Sequence, residues 1–248
     1  MGHAVENSRL YTCLVKARKT WPETGIFIFG DSVANQMYPP ETQSGKINSL
    51  TMMMPSTMAG HYFLLERLRE SNTLEGRRVV LILLPNSLES ELEHKATFHY
   101  ILKPFYNREF SPWDDPFFQE RIDNPAVAAL SQLPMIRCSN WTPPSWISYL
   151  AEPEANQPGI SPLNLVYLKK MAQLVNDAGG TFHCLPAIQR ESRSGNDYHA
   201  LREAIHAAGL EDAFDQYFES FLYYPDNLFR DPAHLYDRSI LGNNILNL

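Results

Sequence analysis

The chain has 248 residues, 44% hydrophobic and 20% charged, a balance that belongs to a folded globular protein and sets aside the disordered and fibrous classes. A formal net charge of -7 weighs against a phosphate-backbone partner, so no nucleic acid is expected; the short clusters "KARK" (residues 16–19) and Arg77-Arg78 read as solvated surface. Cys13, Cys138 and Cys184 are far apart and lack metal-ligand spacing, which argues against both a disulfide framework and structural zinc.

The N-terminal segment is mixed and has no apolar core of the signal-peptide kind. The first clear element is a buried strand at residues 26–29 (IFIF), stopped abruptly by Gly30-Asp31-Ser32. A short helix is expected next, then a strand around residues 47–50. Met58, Tyr62, Leu65 and Leu68 recur at helical spacing, and residues 79–84 (VVLILL) form the following strand. That run is also the longest uninterrupted apolar stretch, far short of the ~20 residues a bilayer crossing needs, so no transmembrane segment is expected.

From about residue 101 to 162 the pattern dissolves into proline and aromatics, which predicts an irregular insertion over one rim of the sheet, packed by its own tryptophans or offering them to a ligand. Asn140-Trp141-Thr142 inside it is an isolated glycosylation sequon. Alternation then resumes. Leu165, Leu168, Met171, Leu174 and Val175 share a helix face, ended by Gly179-Gly180. Residues 181–185 read as a buried strand in which Cys184 is a small hydrophobe. "DYHALREAIHAAGL" is an amphipathic helix with Gly209 past its end, and "YFESFLYY" (residues 217–224) reads as the last strand. Short strands alternating with helices predict a mostly parallel sheet covered on both faces. The expected fold is therefore a three-layer αβα sandwich, flavodoxin-like, in one domain spanning residues 1–248.

A serine hydroxyl becomes a useful nucleophile when an imidazole takes its proton and a carboxylate fixes that imidazole's tautomer. Ser32, at the end of the first strand, thus calls for a histidine and an acid. "DPAH" supplies them, with Asp231 three residues before His234 and Pro232 stiffening the turn.

"FGDS" after the first strand together with "DPAH" near the C-terminus resembles the SGNH, or GDSL, superfamily of serine esterases and acyltransferases, over residue 26 to about residue 242. The resemblance implies Ser32 as nucleophile, His234 as general base and then acid, and Asp231 as the orienting carboxylate. It also implies an oxyanion hole: Asn86 in "LLPNSL" matches the family's asparagine, whose donation is worth about 3–4 kcal/mol in acyl transfer. The family's glycine amide falls on Thr51 or a near neighbour, because "NSLTMMMP" has no glycine there. Leu84-Pro85-Asn86-Ser87 likewise replaces Gly-x-Asn-Asp. Val33 for the usual leucine changes little, since either packs under the turn. These variations and "HLYDRSILGN" resemble the divergent members that acylate or deacylate bacterial surface polysaccharides.

Plainer readings stand beside these. Asp31 or Ser32 also suits a helix N-cap, Asp231 a cap before a C-terminal turn, and Asn86 a turn after a strand. His61, His94, His99 and His183 share no ligand spacing. Asp114-Asp115 is a proline-flanked turn, and the Met52-Met53-Met54 run is strand-end packing. The expectation is serine-dependent acyl-ester chemistry on a carbohydrate, as O-acetyl esterase or O-acetyltransferase, without metal or organic cofactor. The alternatives are a non-catalytic carbohydrate-binding protein of the same fold and a lipid or thioester hydrolase. The polysaccharide resemblance implies an extracytoplasmic setting with membrane-associated acylation partners, whereas the uneven thiol count permits the cytoplasm.

Overall fold

A computed structural model describes residues 9–42, 46–51, 58–89, 116 and 159–241. Nearly all of the 101–162 insertion, with Asp114, Asp115, Cys138 and the Asn140 sequon, lies outside the described residues, as do Met52, Met53, Met54, His94 and His99. Four strands, β1 (Ile26–Gly30), β2 (Ile47–Ser49), β3 (Arg78–Leu83) and β4 (Thr181–Pro186), form one sheet in the order β2-β1-β3-β4. Every pairing in it is parallel. With its helices this is an α/β fold.

Register explains why β1 and β3 are apolar at consecutive positions. Phe27, Val79 and Phe182 stand side by side, as do Phe29, Leu81 and Cys184, and all six belong to one apolar cluster. The alternate positions Ile28, Val80, Ile82 and Leu185 face the opposite side and join a second cluster. A sheet buried on both faces needs hydrophobic residues at consecutive positions. Helices α1 (Arg9–Ala17), α3 (Met58–Glu70), α4 (Pro162–Asp177) and α5 (His199–Ala208) contribute to the first cluster. Helix α2 (Ser32–Met37) and the C-terminal residues Phe229, Leu235 and Leu241 cover the second.

Polar ties fix the ends of these elements. Ser161 caps α4, accepting from the Asn164 amide at 3.2 Å. The fully buried Asn164 side chain accepts from the Met58 amide at 2.9 Å and donates to the Leu88 carbonyl at 2.8 Å. It thereby joins α3, α4 and the 3₁₀ turn Pro85–Glu89 that follows β3. Leaving such an amide unpaired would cost about 1–3 kcal/mol, so the turn carrying Asn86 and Ser87 is held from behind.

Two expectations need correction. The segment 217–224 is not a strand of the main sheet: Tyr223–Tyr224 alone (β6) pairs, in parallel, with Gln189–Arg190 (β5) in a separate two-stranded sheet. Upstream, the Glu219 and Ser220 amides bond back to the Gln216 carbonyl and turn the chain. Tyr217 then packs edge-on against Phe218 and Phe221 at 5.2 and 5.5 Å and donates its hydroxyl to the Leu83 carbonyl at 3.1 Å. Lys16, read as solvated surface, is 7% exposed and donates to the carbonyls of Pro40 at 2.5 Å and Ser49 at 2.8 Å. Backbone carbonyls provide acceptors that sequence spacing does not reveal.

Candidate active site

The site begins where β1 stops. Gly30 has φ 155, and a Cβ there would lie 2.2 Å from the Ala34 Cβ and 2.3 Å from the Ile82 carbonyl oxygen. Only glycine lets the strand end so close to both β3 and α2. Asp31 then caps α2: it is extended at φ -84 and ψ -158, and its Oδ1 accepts from the Val33 amide at 2.8 Å and the Ala34 amide at 3.5 Å. Its other oxygen accepts from Ser87 Oγ at 2.6 Å. The capping role thus falls to Asp31, which leaves Ser32, the first residue of the helix, with its hydroxyl for other work.

That hydroxyl meets His234. His234 Nε2 lies 2.8 Å from Ser32 Oγ across 202 positions of sequence, and His234 Nδ1 lies 2.8 and 3.0 Å from the two Asp231 carboxylate oxygens. A carboxylate can only accept, so Nδ1 carries the proton toward Asp231 and the Nε2 lone pair faces the serine hydroxyl. Ser32 is 9% exposed, while the side chains of His234 and Asp231 are 22% and 40% exposed. Partial burial pushes the Asp231 carboxyl up. Donation from the Ala233 amide, the His234 ring and the His234 amide outweighs it, so Asp231 sits below its ordinary value.

The loop that carries the pair is braced at several points. Asp231 Oδ1 accepts the Ala233 and His234 amides, each at 2.9 Å, which closes a tight turn. Arg190 donates to the Asp231 carbonyl at 2.7 Å and its guanidinium lies 5.6 Å from the Phe229 ring centroid. The Arg230 amide returns to the His234 carbonyl at 2.8 Å. The Leu235 amide donates to Gln36 Oε1 at 3.0 Å, tying the histidine loop to the helix that begins at Ser32.

The two expected oxyanion donors sit differently. Asn86 is exposed on the Pro85–Glu89 turn, next to the Ser87 that holds Asp31. Thr51 is fully buried: its amide points to Ser49 Oγ at 3.4 Å, its carbonyl accepts from Asn35 Nδ2 at 3.1 Å, and its hydroxyl donates to the Tyr38 carbonyl. The structure thus brings Ser32, His234 and Asp231 together, keeps Asn86 one residue from their support, and uses Thr51 to tie β2 to α2. Ser87, Gln36 and Arg190 were not foreseen. Gln36 carried a signal, because it lies one helical turn from Ser32 on the same face; Arg190 carried none.

No cluster of histidine, cysteine or acidic side chains suited to a metal ion occurs among the described residues. The site defines a class by its geometry, an α/β protein with a serine, a histidine and an aspartate in hydrogen-bonded series. No protein-family model, curated protein or solved structure matches the chain.

Proposed function

We propose that the chain is a serine-dependent acyl-ester enzyme of the SGNH type, with the three-layer flavodoxin-like sandwich of that superfamily, acting on an acylated carbohydrate. The observation that carries this reading is the pair of 2.8 Å contacts from His234, Nε2 to Ser32 Oγ and Nδ1 to Asp231 Oδ1. Ser32 Oγ attacks the ester carbonyl as its proton passes to His234 Nε2, and Asp231 stabilises the imidazolium. The tetrahedral oxyanion collapses, the C–O bond to the sugar breaks, and the departing alkoxide takes the proton from His234. Water, or the hydroxyl of another sugar, then attacks the acyl-serine with His234 again as base. Hydrolysis and transfer share these steps and differ in the acceptor alone. Nucleophile and proton carrier are side chains, so the proposed steps use no metal or organic cofactor. Asn86 is the proposed side-chain oxyanion donor.

No helix among the described residues is long and apolar enough to cross a membrane. A polysaccharide substrate places the reaction outside the cytoplasm, beside membrane-associated acylation partners.

A fluorophosphonate probe tests the reading. It should label the native protein and fail to label Ser32→Ala, and acetyl release from acetylated polysaccharide followed by NMR should depend on the same residue. The bond between the Thr51 amide and Ser49 Oγ favours a second reading, a carbohydrate-binding protein with an idle triad; a folded protein that binds glycans and resists the probe supports it. A lipid or thioester hydrolase instead prefers long p-nitrophenyl esters over the acetate.

A further inference from the structure

A cavity of about 330 Å³ is bounded by Asn86, Gln189, Arg193, Asn196, Asp197 and Tyr198 among others, and Ser32, Asp231 and His234 are not in its lining. Its walls continue into the two halves of the site. On one side Asn86 precedes Ser87, which holds Asp31 at 2.6 Å, and Asp31 precedes Ser32. On the other Gln189 precedes Arg190, which holds the Asp231 carbonyl at 2.7 Å. Neighbouring Cα atoms are about 3.8 Å apart, so each wall stands a residue from a brace of the triad.

The lining chemistry is specific. Three carboxamides, a phenol, a guanidinium and the carboxylates of Glu89 and Asp197 meet in one concavity with Pro85, Ala200 and Leu201; such a wall suits a ring with polar edges and apolar faces better than a simple anion, because the charges are of both signs. Gln189 adds an independent pointer. It is 2% exposed, its Oε1 accepts from the Tyr198 hydroxyl at 3.2 Å, and its Nε2 has no acceptor among the described residues. A buried amide left with an unspent donor is unfavourable, and the residue that carries it is part of the cavity wall. The volume lies at the small end for ligand pockets, room for one or two rings.

We infer that this cavity is a binding site for a neutral, hydroxyl-rich sugar unit, held by Gln189, Asn196, Arg193 and Asn86, and that it seats the alcohol side of the ester whose acyl carbon meets Ser32. The second clause rests on the acyl-ester reading; the binding itself does not.

The test uses Ser32→Ala protein with unacetylated cellobiose, chitobiose and maltose, with digalacturonic acid and hexanoate as comparators, in saturation-transfer and titration NMR. At least one neutral disaccharide should bind, in preference to both comparators. Gln189→Leu and Asn196→Ala should each weaken it about tenfold, the scale of one lost hydrogen bond. Asn196 is exposed, so its replacement leaves folding intact and reports even where Gln189→Leu misfolds. Fluorophosphonate labelling of the native protein separates the two readings. Labelling without binding of any neutral disaccharide overturns the pocket and leaves the enzyme; binding without labelling keeps the pocket and removes its link to ester chemistry. Binding that both variants leave unchanged, or tighter binding of hexanoate, also overturns the proposal.

Discussion

Replacing Gly30 by alanine probes the turn that carries Ser32, the proposed nucleophile. The added methyl would sit 2.3 Å from the Ile82 carbonyl oxygen and 2.2 Å from the Ala34 Cβ, where ordinary contact is 3.4–4 Å. One neighbour is sheet backbone and the other belongs to the helix that starts at Ser32, so neither can swing aside as a flexible side chain would. Backbone strain at φ 155 in a residue with a Cβ adds about 1–3 kcal/mol, and forced overpacking adds about 1–3 kcal/mol more. The sum, about 2–6 kcal/mol, is a large part of the 5–15 kcal/mol that folded domains possess. For a chain of this size it corresponds to a fall in Tm between about 4 and 24 °C. Gly195 has open space around its would-be Cβ and serves as the control, expected to change Tm by no more than a few degrees on conversion to alanine. Calorimetry measures both, and the probe-labelling rate of whatever Gly30→Ala protein remains folded reports the turn itself, expected to fall at least tenfold. A variant that melts within about 1 °C of the native protein and labels at the native rate would refute the close approach of β1, β3 and α2.

Asp231→Asn keeps the shape of the turn but offers the His234 ring a donor where it needs an acceptor, so the labelling rate should fall by about 10⁴-fold with little change in melting; a loss below tenfold contradicts the assigned tautomer. Arg190→Met removes the 2.7 Å donation to the Asp231 carbonyl, and because Arg190 is half-exposed the loss is expected near 1 kcal/mol, a five- to tenfold slower reaction measured by stopped labelling at several times. His61 is buried and neutral, its imidazole lowered by burial to about 3. Above pH 6.5 that neutral ring costs nothing. As pH falls from 6.5 toward 3 the unfolded chain takes up a proton the folded one refuses, at about 1.4 kcal/mol per pH unit and about 4–5 kcal/mol in all. Urea unfolding of the native protein and His61→Phe between pH 7 and 4 should show the native protein losing stability relative to the variant, and a constant difference across that range excludes the assignment.

The strands at 26–29 and 79–84 were legible because a parallel sheet buried on both faces demands continuous apolar runs, and these meet it over nearly their whole length; residues 181–185, broken by Thr181 and His183, meet it only in part. Helices α3, α4 and α5 followed from 3.6-residue spacing, and the stop of α5 from Gly209, which takes φ 68 at its C-cap; α1, in the segment read only as mixed, was not foreseen. The region at 217–224 misled because a run of aromatics satisfies strand preference and side-on packing equally, and the bends at Gln216 decided between them. Ser32, Asp231 and His234, which the structure brings together, were readable as candidates from two short motifs. Their braces were not. Arg190 works by donating to a backbone carbonyl and Lys16 does likewise, and an interaction with a carbonyl leaves no preference at the partner's position.

The braces also bear on how the two halves of the site can move. Ser32 and Gln36 are fixed on one short helix, and Gln36 accepts the amide of Leu235, next to His234. A displacement of α2 that carries Ser32 therefore pulls the same loop that carries His234. From the other side Arg190, on the two-stranded sheet, holds the carbonyl of Asp231, which meets the His234 ring. Proton transfer between oxygen and nitrogen is sensitive to their separation, and a clamp that spans both groups keeps that separation while allowing the pair to shift together relative to the sheet. Asp31, next to Ser32, is meanwhile bonded to Ser87 on the 3₁₀ turn that follows β3, so the turn of Ser32 has a tie of its own, separate from the histidine loop.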